Sequence, residues 1–170
     1  FGLVQTPEYR ALNPNAMVPV LQDGDVVLWE SNVIVRYLCA KHSMGTLYPA
    51  ELAARLDAER WMDWQQTTLN PAGRDGFIQW VRTAPAQRDD ATYLQSVAAT
   101  EPLLAMLDAH LAQQPFMVGD SFTMADIPVA CEIHRWRALP LSDTAPLTPH
   151  LDRWYQVVSG RPTALGVLDQ

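Results

Sequence analysis

Apolar positions change their spacing along the chain, and each change predicts an element. Thr6-Pro7-Glu8 reads as a helix start. Threonine can accept from free backbone N–H groups, proline suits the first helical position, and an acid suits the positive end of the helix dipole. That helix reaches only to about Leu12, because Asn13 precedes Pro14 and is pushed out of the α region. Val18-Pro19-Val20-Leu21 and Val26-Val27-Leu28-Trp29 are β-branched apolar runs on either side of Asp23-Gly24, which predicts a β-hairpin. From Ser31 the spacing becomes three and four residues through Ile34, Tyr37, Leu38 and Lys41, with Val33 and Val35 widening the apolar face. A helix begins there, with Ser31 placed to cap it.

Gly45, Tyr48 and Pro49 break the pattern, so residues 44–50 read as a linker between a small α/β unit over 1–43 and a helical remainder over 51–170. Leu52, Leu56, Glu59 and Arg60 lead into Trp61, Met62 and Trp64. After a break over 83–90, Leu94, Val97, Leu104, Leu107 and Leu111 continue at helical spacing. Pro102 inside this run predicts a kink or a restart, because it removes a backbone bond at a cost on the order of 3 kcal/mol. Phe122-Thr123-Met124-Ala125-Asp126-Ile127 is the strongest helix start of the chain: Thr123 and Asp126 have capping-box spacing, and Phe122 and Ile127 occupy the two staple positions. The helix it opens is apolar on several faces, through Val129, Ala130, Ile133 and Trp136. Thr148 or Pro149 opens a last helix carrying Leu151, Trp154, Tyr155 and Val158, closed by Gly160 and Pro162.

Composition narrows the function classes. The net charge is -7 and no run of five Lys or Arg occurs, which argues against nucleic acid as a partner. Although 48% of residues are hydrophobic, no window approaches the ~18 uninterrupted apolar residues that a membrane span needs. A soluble protein without membrane association is expected. Cys39 and Cys131 lie in apolar helical patterns, far from CxxC spacing, and read as small buried hydrophobes in a reducing, cytoplasmic setting. His42, His110, His134, Asp57 and Asp63 show no metal-ligand spacing, so no metal is expected. The chain begins at Phe1 and reads as trimmed rather than processed.

Two features carry chemistry. Proline in a strand cannot donate to the ladder, and X-Pro bonds are where a cis peptide is tolerated. A cis Val18-Pro19 bond would turn the Val18 backbone outward, where an extended peptide can pair with it as an added strand; an ordinary edge-strand proline is the competing reading. Glu30-Ser31 places an acid and a hydroxyl at a strand-to-helix junction, where free N–H groups point the same way. Such a corner suits an α-amino acid head group, Ser31 and the N–H groups meeting the carboxylate and Glu30 the ammonium. Simple capping by Ser31 is the alternative there.

The run Asn13-Pro14-Asn15-Ala16-Met17-Val18-Pro19-Val20-Leu21, with Trp29-Glu30-Ser31-Asn32-Val33-Ile34-Val35-Arg36-Tyr37-Leu38, resembles the glutathione S-transferase family. Phe116 to Ile127 looks like that family's central-helix capping motif, and Trp154-Tyr155 with Arg161-Pro162 resembles its closing helix. The resemblance implies a thioredoxin-like domain, incomplete at its amino terminus, followed by an all-helical domain. Glutathione would lie in the cleft between them as co-substrate. Val18 would pair with its cysteinyl backbone, Pro19 would be cis, and Glu30 and Ser31 would hold the γ-glutamyl end. Met17 stands where relatives often carry a polar or basic side chain near the glycyl end, and Ala16 cannot donate a hydrogen bond there. Asn32 is read as an exposed capping-turn residue, with a further glutathione contact beside Ser31 as the alternative.

In the family a hydroxyl or backbone donor near the first strand-helix turn stabilises the glutathione thiolate, which attacks an electrophile. The resemblance places that donor ahead of Phe1, in a strand-helix-strand unit of roughly 30 residues, so the catalytic residue is unknown. A small, largely apolar electrophile is the expected second substrate, in a detoxifying conjugation, with Trp64, Thr68, Arg135 and Trp136 as candidate pocket residues. Homodimers are the family's usual assembly. A non-catalytic scaffold of the same fold and a glutathione-dependent isomerase are the alternatives.

Overall fold

The structure, a computed structural model, describes residues 2–140 and 147–168. Phe1 and Gln170, the outer ends of the two expected domains, lie outside them. A 3-10 turn (Gly2–Gln5) leads into α1 (Pro7–Leu12). Thr6 caps α1 as its position suggests, its hydroxyl oxygen accepting the Tyr9 N–H at 3.2 Å.

Strands β1 (Val20–Asp23) and β2 (Val26–Trp29) pair antiparallel, Val20 opposite Trp29 and Asp23 opposite Val26. Gly24 turns the hairpin at φ 60, where a Cβ would be unfavourable. Helix α2 (Ser31–His42) follows at once. It is tied back to the hairpin by Asp23, which accepts from the Tyr37 hydroxyl at 3.0 Å and pairs with Lys41. The expectation that Ser31 caps α2 is not met. Glu30 holds the cap position, no side chain caps the helix, and Ser31 is already its first residue.

Past 44–50, the chain is helical almost without pause. Helix α3 (Leu52–Trp64) passes through a π-helical turn (Gln65–Leu69) into α4 (Asn70–Phe77), and a second π-helical turn ends at Arg82. The 22-residue α5 (Asp90–Leu111) continues unbroken through Pro102, so the restart predicted there does not occur. Pro102 lies on the exposed side of α5, while Leu104, Leu107 and Leu111 are buried on its other face. Helices α6 (Asp126–Arg137) and α7 (Pro149–Ser159) complete the bundle. The carboxylate of Asp108 on α5 caps α7, accepting from the N–H groups of His150 at 2.8 Å and Leu151 at 2.9 Å.

The core lies among α3, α5, α6 and α7, with Met62, Leu107, Met117, Met124, Val129 and Trp154 fully buried. Fully burying one such side chain stabilises by about 1.5–3 kcal/mol. Half of the Thr123–Asp126 box forms: the Asp126 carboxylate accepts the Thr123 N–H at 2.8 Å, while the Thr123 hydroxyl oxygen accepts from the Ala125 N–H at 3.3 Å and the Asp126 N–H goes to the Thr123 carbonyl. Ala125 holds the cap position of α6. Met124 N–H, next to this box, bonds the Leu47 carbonyl at 2.8 Å, which fixes the 44–50 segment on the bundle. Among the described residues, no helix is long and apolar enough to cross a membrane.

Candidate functional site

A cleft of about 610 Å³ runs between the hairpin unit and the bundle. Its near wall is the segment from Asn13 to Pro19 together with the start of α2; its far wall comes from the π-helical turn after α3 and from α6. Met17, Val18, Pro19, Glu30 and Ser31 all line this one space, so the structure brings the predicted residues together.

The near wall is built by a chain of local bonds. Asn13 is buried, and its side-chain amide donates to the Met17 carbonyl at 2.7 Å while its oxygen accepts the Asn15 N–H at 3.0 Å. This is the asparagine turn that short polar side chains favour. The Tyr9 hydroxyl donates to the same Met17 carbonyl at 2.9 Å. Ala16 adopts φ 53, left-handed for a residue with a Cβ, and its N–H bonds the Asn13 carbonyl at 3.0 Å. The loop is therefore held in one shape and projects Met17 and Val18, each 63% exposed, into the cleft. The Val18–Pro19 peptide is cis. Strand pairing starts only at Val20, and the Val18 backbone has no hydrogen-bond partner among the described residues.

At the other corner Glu30 sits at φ 72 and ψ 115. For a non-glycine residue this conformation costs on the order of 1–3 kcal/mol, which the surrounding structure must hold in place. Among the described residues neither its carboxylate nor the Ser31 hydroxyl has a hydrogen-bond or ion-pair partner, and both residues are exposed. The corner can thus receive a ligand's charged and polar groups without first breaking protein contacts.

The far wall departs from expectation in several places. Of the four candidate pocket residues, Arg135 lines the cleft, whereas Trp64, Thr68 and Trp136 do not; the tryptophans pack against the core instead. Cys131, expected to be buried, is exposed on this wall, one helical turn beyond Ile127 and Pro128. Desolvation by the packed wall pushes its thiol above the ordinary value, and the Arg135 cation pulls the other way. Cys39 is buried as expected. Asn32, expected in an exposed turn, is buried instead and donates to the Met62 carbonyl at 2.8 Å, because the first turn of α2 packs directly on α3.

Gln65, Gln66, Asn70 and Glu132 complete the polar part of this wall and were not foreseen from the sequence. One signal was available: Glu132 is an acid inside the otherwise apolar stretch from Val129 to Ile133. Nothing in the local sequence marks the π-helical turn that brings Gln65 and Asn70 round to it. Among the described residues no cluster of His, Cys, Asp and Glu could hold a metal.

This arrangement can be set beside known proteins. Residues 3–41 match the family model for the glutathione S-transferase N-terminal domain, and residues 61–162 match that for the C-terminal domain. The chain belongs to the glutathione S-transferase family, a thioredoxin-like unit followed by a helical domain. It is 40% identical to glutathione S-transferase GstB of Escherichia coli strain K12, over 99% of this chain and 81% of that protein. The theta class glutathione S-transferase of Xanthomonas axonopodis pv. citri, whose crystal structure has glutathione bound, superposes with a TM-score of 0.90. That match has 46% identity and covers 95% of this chain and 76% of the other. Elongation factor 1-gamma 1 of Oryza sativa subsp. japonica is 30% identical over 93% of this chain, a region that makes up 38% of that protein.

Proposed function

We propose that the cleft binds glutathione and that the protein conjugates its thiolate to a small electrophile. Glu30 and Ser31 hold the γ-glutamyl end, Val18 pairs its free backbone with the cysteinyl unit beside the cis Pro19, and Met17 stands near the glycyl end. The observation that carries this reading is a pair of unsatisfied groups on one wall of the cleft: the Val18 backbone and the Glu30 and Ser31 side chains, none with a hydrogen-bond partner among the described residues. An amide backbone with an α-amino acid terminus satisfies both at once. Glutathione in the Xanthomonas relative supports the assignment. The electrophile lies against Ile127 and Pro128, with Arg135, Gln66 and Asn70 at its polar edge. The division into a glutathione-binding unit over 1–43, a linker over 44–50 and a helical domain over 51–170, a cytoplasmic location and a homodimer belong to the same reading.

The resemblance to the elongation factor favours a second reading, in which the fold serves as a non-catalytic scaffold. Product analysis separates the two. Incubation with glutathione and a panel of aryl halides, epoxides and unsaturated carbonyl compounds yields a stable thioether by mass spectrometry if the protein is a transferase. Return of free thiol with a rearranged substrate identifies an isomerase. Binding of glutathione without turnover of any compound identifies the scaffold.

A further inference from the structure

Helix α6 carries a carboxylate where its neighbours are apolar. Glu132 is only 7% exposed, yet its Oε2 accepts from the Gln65 amide at 3.1 Å and the Asn70 amide at 2.9 Å, with the Arg135 guanidinium at 3.6 Å. Gln65 and Asn70 are five residues apart, which in an α-helix would leave them roughly 140° apart around the axis. The π-helical turn removes that offset: the Asn70 N–H bonds the Gln65 carbonyl, five residues back, and both side chains come to one face.

The bonds continue past Gln65. Its amide oxygen accepts from Asn32 at 3.3 Å, and Asn32 also donates to the Met62 carbonyl. Asn32, Gln65 and Glu132 are 8%, 5% and 7% exposed, so the series is largely buried at the base of the cleft. Its direction is set at both ends. The Met62 carbonyl can only accept, so Asn32 turns its NH₂ to it and to the Gln65 oxygen, and the Gln65 NH₂ is left to meet the Glu132 carboxylate. Without the acid that buried NH₂ loses its acceptor and bears its full desolvation penalty, and a Gln65 side chain that turns to pair it gives up its bond to Asn32 in the first turn of α2. That turn carries Ser31, and Glu30 stands at its cap. A buried carboxylate gains little net stability over apolar packing of the same volume; what it fixes here is the position of Gln65.

We propose that Glu132 is a positioning residue for glutathione: acting through Gln65 and Asn32, it holds the start of α2 so that Glu30 and Ser31 meet the γ-glutamyl group. The proposal rests on the glutathione reading of the cleft. Glu132 does not touch the tripeptide in this account, and its effect on glutathione is an effect on binding.

The test is a double-mutant cycle with glutathione as the probe, read by calorimetry and by KM and kcat on an electrophile the wild type turns over. Glu132→Ala and Gln65→Ala each weaken glutathione binding about tenfold, and the double variant is no weaker than either, because both break one series. For Gln65→Ala, which leaves Asn70 and Arg135 their carboxylate, the loss appears in the KM for glutathione more than in kcat. Glu132→Gln, which keeps an acceptor oxygen for Gln65, recovers most of the affinity. If Glu132→Ala fails to fold, the comparison of Gln65→Ala with Glu132→Gln decides. Single variants that bind like a binding-competent wild type, losses that multiply in the double variant, or a Glu132→Gln no better than the alanine variant would each overturn the proposal. A wild type that does not bind glutathione overturns the reading beneath it.

Discussion

The Asp126 carboxylate accepts the indole N–H of Trp154 at 2.7 Å, with both residues fully buried. It also accepts the Met117 N–H at 3.0 Å and the Thr123 N–H at 2.8 Å, so one side chain joins the loop before α6, the start of α6 and the middle of α7. Burial pushes its pKa above the ordinary carboxylate value, and these donors oppose that shift. Asp126→Ala strands three buried N–H donors and takes an acceptor from the Thr123 hydroxyl at 3.4 Å. The expected loss is about 3 kcal/mol or more, which for a chain of this size lowers Tm by roughly 6–12 °C. Thermal unfolding of the variant checks it, and a change under about 2 °C contradicts the role given to this residue.

The Asn13 side chain shapes the near wall without touching the α2 corner. Asn13→Ala releases the Met17 carbonyl from one of its two donors and frees the Asn15 N–H. Since the Val18 backbone is presented by this loop, glutathione affinity is expected to fall about three- to tenfold, an effect on the order of 1 kcal/mol. Calorimetry on the variant, with circular dichroism confirming the fold, measures it.

Cys131 reports occupancy of the cleft from its opposite wall. Alkylation needs the thiolate, and desolvation holds this thiol above its ordinary value of 9.0. Its rate of modification by iodoacetamide should therefore be low at neutral pH and still be rising as pH passes 9, since deprotonation is delayed rather than advanced. S-methylglutathione, which has no thiol of its own to consume the reagent, should slow the reaction. Buried Cys39 serves as the internal control, and peptide mass spectrometry distinguishes the two sites.

Local chemistry made much of this molecule legible in advance. The Thr6 cap, the Asp23-Gly24 hairpin and the bond from the Thr123 N–H to the Asp126 carboxylate each declare themselves within four residues, and each forms. Val18-Pro19 offered a cis bond beside an ordinary edge-strand proline, and the structure has the cis form; the left-handed backbone of Glu30 is announced by nothing in Glu30-Ser31 itself. What escaped depends on contacts between distant segments. Pro102 does not interrupt α5, where it sits exposed while Leu104, Leu107 and Leu111 bury the opposite face. Cys131 and Asn32 exchange their expected burial, since which face of α6 or α2 meets a neighbour is decided by the assembled bundle. Glu132 finds its partners 67 and 62 residues away, across a π-helical turn that no residue pattern announces.

The most direct measurement is calorimetric titration of glutathione into the wild type and into the Glu30→Ala, Ser31→Ala double variant. Saturable binding by the wild type, weakened by about a hundredfold or more in the variant through loss of charge-assisted bonds at the γ-glutamyl end, is the predicted result. Equal affinity in the two proteins, or no binding by either, would contradict the assignment of this cleft to glutathione.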